Sequence, residues 1–143
     1  MKLLLDTHAL LWWLTDDEQL GPRARELIAD PGNDVLVSMA SLWEIVLKLR
    51  VGKLEADIKE IAEAIELEGF TLLDIGIAHL LTLAELPTHH RDPFDHLLIA
   101  QAIVEDATFV SEDRHSPKYS VRVVTCSESP SETPLFPGGP DAS

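Results

Sequence analysis

One cysteine, Cys126, stands among 143 residues. A single thiol permits no internal disulfide and no cysteine-based zinc site, and it favours a reducing compartment, the cytoplasm. Basic residues are scarce as well: 11 Lys and Arg face 25 Asp and Glu, a net charge of -14. Nothing in this composition resembles a basic nucleic-acid-binding surface. A chain of this charge would repel a phosphate backbone unless a metal ion or a basic partner changed the local field. Long apolar runs are also missing. Leu3–Leu5 stops at Asp6, too short for the apolar region of a signal peptide, and no stretch approaches the ~20 apolar residues that span a membrane. The histidines show no zinc-motif spacing: His8, His79 and His115 are isolated, His89 and His90 are adjacent and would be expected to point different ways, and His96 follows an acid. No internal repeat is present.

What remains is an ordinary globular composition, 45% hydrophobic and 25% charged, in a length suited to one domain with a sizeable core. Short apolar runs alternate with helical patterns. Strands are expected at Lys2–Leu5, Asp34–Ser38, Phe70–Leu73 and Thr108–Ser111, with a fifth at Val121–Val124, at an edge. Helices are expected over Thr7–Leu14, Pro22–Ala29, Ala40–Arg50 (stopped near Gly52), Asp57–Glu68 (stopped by Gly69) and Ile77–Leu83. A sixth starts at Pro93 in RDPFDHLLIAQA, with apolar groups all round it, which marks a buried helix. Alternating strands and helices predict an α/β fold: three α/β/α layers around a central, mostly parallel sheet of four to five strands. Residues 1–126 read as this domain. Residues 127–143, rich in Pro, Ser and Gly, read as a disordered tail.

In such sheets the site lies beyond the carboxyl ends of the strands. Asp6 and Asp113 each follow a strand on this reading. Glu44 lies in the second turn of the helix after DVLVS, and Asp95 in the first turn of the buried helix. If that helix starts at the same edge, four acids converge. Carboxylates held close repel one another unless a cation relieves them, and oxygen-only ligands favour Mg²⁺ or Mn²⁺. Such an ion activates water and offsets charge on phosphorus. Plainer roles compete. Asp6 would cap the next helix, Glu44 would pair with Lys48, Asp92 before Pro93 would be an N-cap, and Asp113 in SEDR would be a turn residue. The apolar neighbours of Glu44 and the buried helix behind Asp95 favour function for those two. Thr7 offers a hydroxyl beside Asp6. Trp12, Trp13 and Trp43 read as core or subunit contacts.

The pieces LLLDTHALLWWL, SLWEIVLKLRVGKL, LPTHHRDPFDHLLIAQA and VSEDR, in this order, resemble PIN-domain proteins, and among them the VapC-type toxins of bacterial toxin–antitoxin pairs. The resemblance covers most of residues 1 to about 125. It implies an acidic quartet of Asp6, Glu44, Asp95 and Asp113, with Thr7, Ser111 and Asp92 in support. Ser111 stands where relatives often carry threonine, and His96 where they often carry arginine. Also implied are a Mg²⁺- or Mn²⁺-dependent endoribonuclease that halts translation, products with a 5′-phosphate and a 3′-hydroxyl, a homodimer, and a cognate VapB-like antitoxin. The toxin would meet DNA only through that antitoxin, whose basic groups suit a surface of this charge. Two alternatives carry different chemistry. One is a catalytically silent module that binds a basic protein. The other is phosphoryl transfer through an aspartyl phosphate on Asp6, which wants an acid two residues on, where this chain has His8.

Overall fold

Side chains of a strand alternate between the faces of its sheet, so a strand covered on both faces must be apolar at every position. The strand β1 (Lys2–Leu5) meets this requirement from Leu3 to Leu5, with Lys2 exposed at its start. Leu3 and Leu5 enter one core with Val35, Val37 and Val110, whereas Leu4 enters a second with Leu36 and Phe109. The computed structural model describes residues 1–88, 92–112 and 121–127. Arg91, with His89 and His90, therefore lies outside the described residues, as do Asp113, His115 and all of the 127–143 tail except Ser127.

Five strands form one sheet among the described residues: β1, β2 (Asp34–Ser38), β3 (Thr71–Leu73), β4 (Thr108–Ser111) and β5 (Val123–Thr125). Their order is β3-β2-β1-β4-β5, and every pairing is parallel. All five carboxyl ends therefore lie at one edge. The helices are α1 (Thr7–Leu14), α2 (Pro22–Ala29), α3 (Met39–Arg50), α4 (Ile58–Leu67), α5 (Ile77–Glu85) and α6 (Pro93–Val104). Residues of α1, α2, α4 and much of α3 fill the core on the Leu3 face, and those of α5 and α6 the core on the Leu4 face. This is the three-layer α/β/α arrangement, with the sheet in the middle. Among the described residues no helix is long and apolar enough to cross a membrane.

Element ends follow local chemistry. Gly52 and Gly69 lie just past α3 and α4 with φ of 75° and 76°, the left-handed region that closes a helix cheaply only in glycine. Strand β3 starts one residue later than the apolar run implied, because the Phe70 N–H donates to the Ile65 carbonyl at 3.2 Å and finishes α4 instead. Helix α5 runs two residues further than expected, to Glu85. It stops only where Leu86, forced extended by Pro87, takes ψ 138°. Strand β5 lies at one edge of the sheet, as expected, over 123–125 rather than 121–124, because Val123 pairs with Phe109.

Helix α6 is buried from Leu97 through Ala102, as an all-round apolar helix requires. One polar residue, Gln101, sits within this span, 0% exposed. Its amide oxygen accepts from the Ser38 hydroxyl at 2.5 Å, and its amide nitrogen donates to the Asp74 carbonyl at 3.3 Å and lies 3.4 Å from His79 Nδ1. His79 Nδ1 also accepts from the Gly76 N–H at 2.9 Å, and Nε2 lies 2.9 Å from Glu105 Oε2. The network thus joins α6 to the carboxyl end of β2 and to the start of α5. Gln101→Leu strips Ser38 and Asp74 of their buried partner. The expected loss of stability is about 1–3 kcal/mol, read as a lower urea midpoint with an unchanged denaturant slope.

Candidate active site

The carboxyl end of β1 delivers Asp6 to the sheet edge, where it is also the N-cap of α1. Its Oδ1 accepts the Ala9 N–H at 2.7 Å, which satisfies one donor at the helix start. Its Oδ2 accepts the Ser111 hydroxyl and the Glu112 N–H from the end of β4, each at 3.0 Å. The residue is only 2% exposed. Burial pushes its carboxyl above the ordinary value, and the hydrogen bonds from Ala9, Glu112 and Ser111 oppose that rise. The capping role and a role at the strand edge are therefore not alternatives. One oxygen caps the helix while the other receives two donors from β4.

Thr7 extends the site toward α3. Its hydroxyl donates to Glu44 Oε1 at 2.6 Å and lies 3.2 Å from the Ser41 hydroxyl. Glu44 Oε2 meets Lys48 Nζ at 3.2 Å, the i,i+4 pair that the sequence allows. The Glu44 side chain is only 12% exposed, so it is not a solvated surface glutamate, and the lysine and Thr7 hold it from two sides. Helix α6 approaches from the other face. The Trp43 and Phe94 rings stand edge to face with centroids 5.0 Å apart. Glu44 and Asp95 each follow one of these rings, so their turns lie on neighbouring helices. Asp95 is half-buried in the first turn of α6. Asp92 caps α6, accepting from the Phe94 N–H at 2.9 Å and the Asp95 N–H at 3.3 Å through one oxygen.

The folded chain thus forms two hydrogen-bonded pairs joined through the Asp6–Thr7 peptide, Asp6 with Ser111 and Thr7 with Glu44, with Asp95 on the facing helix and Asp92 capping that helix's start. Asp113 lies outside the described residues. Among the described residues, no three His, Cys, Asp or Glu side chains are gathered as a group that could hold a metal ion.

A parallel sheet in this order, with a buried aspartate at the end of its central strand, invites comparison with known proteins. The PIN domain profile matches residues 3–121. The chain belongs to the PIN domain family. No curated protein matches it. Among solved structures, this PIN domain is similar to VapBC2 from Rickettsia felis bound to a DNA fragment from the VapBC2 promoter: TM-score 0.66 and 19% identity, over 87% of this chain and 98% of that one. A DNA-bound VapBC from Salmonella typhimurium gives a TM-score of 0.63 at 12% identity, over 88% of this chain and 98% of that one. VapBC-1 from nontypeable Haemophilus influenzae gives 0.63 at 15% identity, over 90% and 100%. At these identities the likeness is one of fold.

In this PIN domain Asp6 and Glu44 bring carboxylate oxygens and Ser111 and Thr7 hydroxyl oxygens, the ligand type that suits a hard divalent cation. A cation would also relieve the cost of burying the Asp6 charge. Several supporting residues are not apparent from motif reading: Ser41 beside Thr7, and Ser38, Gln101 and His79 behind α6. A single polar residue within the apolar run LLIAQAIV was the available signal for Gln101.

The raised Asp6 pKa sets a sign for stability. The folded chain holds this proton more tightly than the unfolded chain. Asp6 therefore contributes most below its ordinary value of 3.8, and that contribution is lost as pH rises through the higher folded value. In metal-free protein the melting temperature of the parent, minus that of Asp6→Ala, should fall as pH is raised from about 4 to 7. Thermal melts of the two proteins across that range check it, and a difference that grows with pH contradicts it.

Proposed function

We propose that the chain is a Mg²⁺- or Mn²⁺-dependent endoribonuclease, the toxin of a toxin–antitoxin pair, whose RNA cleavage inhibits translation. Residues 1–126 would form the nuclease unit, with 127–143 as an appended tail. The observation that carries this reading is the buried Asp6 carboxylate, tied to β4 by Ser111 and Glu112 and flanked by the Thr7–Glu44 pair. Membership of the PIN domain family and the fold shared with VapBC structures support it.

Asp6, Glu44, Asp95 and Asp113 would hold the cation. When bound, it supplies Lewis acidity, activating the attacking water and offsetting charge on the phosphodiester. The chain's own residues set the geometry. Ser111 and the Glu112 N–H fix one Asp6 oxygen, so the carboxylate cannot rotate away from the edge. Thr7 orients Glu44, while Lys48 balances its charge. Asp92 fixes the first turn of α6 and with it the backbone of Asp95. A basic antitoxin segment suits a protein of net charge -14, and we expect such a partner and a homodimer. Any contact with operator DNA would come through that partner.

The test incubates antitoxin-free protein with pooled cellular RNA in Mg²⁺, Mn²⁺ or EDTA. Cleavage at few sites is expected, leaving 5′-phosphate ends, absent in EDTA and abolished in Asp6→Ala. Thr7→Val, which removes the hydroxyl on Glu44, should lower the rate about 10–100-fold. Cleavage that persists in EDTA or in Asp6→Ala would refute the proposal, and a covalent phosphate trapped on Asp6 would favour the aspartyl-phosphate alternative.

A further inference from the structure

A pocket of about 580 Å³ adjoins Asp6, lined by His8, Trp12, Gln19, Glu112 and residues 125–127. Its volume falls in the ~300–1,000 Å³ range of small-molecule sites. Two contacts join it to the Asp6 group. The Glu112 N–H donates to Asp6 Oδ2, and the Cys126 N–H donates to the carbonyl of Ser111, whose hydroxyl holds the same oxygen. An occupant would therefore sit next to the phosphodiester that Asp6 serves.

The lining defines that occupant's chemistry. His8 and Trp12, four apart on α1, present tilted rings with centroids 5.6 Å apart. Aromatic faces of this kind stack on nucleobases of any sequence. Gln19 carries both donor and acceptor atoms, whereas the exposed Glu112 carboxylate only accepts. Its charge excludes a phosphate and favours a neutral ring bearing N–H groups. Two adjacent donors, such as N1–H and the exocyclic amine of guanine, match the two oxygens of a carboxylate. The Watson–Crick edge of a base is open only in an unpaired strand.

We propose that this pocket binds an unpaired nucleobase beside the scissile phosphate, guanine foremost, with Trp12 and His8 stacking on it and Glu112 reading its N–H edge. The proposal rests on the ribonuclease reading, because it assigns that site a substrate subsite. It makes Trp12 a substrate contact in addition to a residue packed on the core.

The experiment uses RNA hexamers of uridine carrying one guanosine, adenosine or cytidine at a varied position. Cleavage is mapped with Mn²⁺. Binding is measured separately, by fluorescence anisotropy of labelled hexamers on an Asp6→Asn background in Mg²⁺. Cleavage is expected at a fixed offset from guanosine. Glu112→Gln should reduce the guanosine preference, read as the ratio of guanosine-containing to all-uridine binding, about tenfold. Trp12→Ala should weaken binding of every hexamer about tenfold, and Trp13→Phe should match the parent. Because Trp12 also packs on the core, the exposed Glu112 keeps the test decisive if Trp12→Ala does not fold. Cleavage with no base preference, or a preference that survives Glu112→Gln, overturns the pocket and leaves the nuclease standing. Guanosine-selective binding lost in Glu112→Gln, without hydrolysis by the parent protein, upholds the pocket and sinks the nuclease. If Trp12→Ala weakens only association with a basic partner protein and leaves RNA binding intact, the surface is a protein-docking site and the proposal fails.

Discussion

A carboxylate buried at the end of a central strand is the constraint on which the rest of this structure depends. Placing Asp6 where it is 2% exposed removes most of its hydration, and burial alone would drive it to the neutral form. Three donors offset part of that cost, and they come from two elements: the Ala9 N–H at the start of α1, and the Ser111 hydroxyl and Glu112 N–H at the end of β4. The parallel pairing of β1 with β4 makes this possible, since it brings both carboxyl ends to the same edge. Antiparallel pairing would send the end of β4 to the opposite side.

The same edge gathers the other polar groups. Ser38 ends β2 and caps α3, which carries Glu44 one turn further on. Gln101 ties α6 back to Ser38, and Trp43 meets Phe94 across the gap between α3 and α6. The helices that bear Glu44 and Asp95 are thus joined twice, by a buried hydrogen bond behind and a ring contact in front. Such bracing gives a charged site fixed geometry without a matching cluster of basic side chains. On the proposed reading, a bound cation supplies the positive charge, and a protein of net charge -14 accepts a polyanion at that one place.

Much of this was legible in the sequence. The run LLLD reads as a buried strand ending in an acid, because every position is apolar until Asp6. DPFDHLLIAQA reads as a capped, buried helix, because Pro93 suits a first turn and apolar groups then surround the axis. Those two patterns place the sheet, the edge and Asp95's helix. Less legible were the limits set by tertiary hydrogen bonds. Phe70 is apolar and strand-like, yet its N–H serves the end of α4. His79 and Gln101 are single polar residues whose partnership spans 22 positions, beyond the reach of local periodicity. The pocket beside Asp6 joins residues of α1, its following loop, β4's end and β5, so no spacing rule could assemble it. Glu44 shows the middle case. Its apolar neighbours and Lys48 are visible in order, but the hydroxyl of Thr7 that orients it comes from 37 residues away.

The most direct measurement is a Mn²⁺ titration of metal-free protein, followed by electron paramagnetic resonance of the free ion. The parent should take up Mn²⁺ saturably. Asp6→Ala should lose that uptake while remaining folded by circular dichroism. If the parent takes up no Mn²⁺, or if folded Asp6→Ala binds it as the parent does, the buried carboxylate is not the anchor of a cation site.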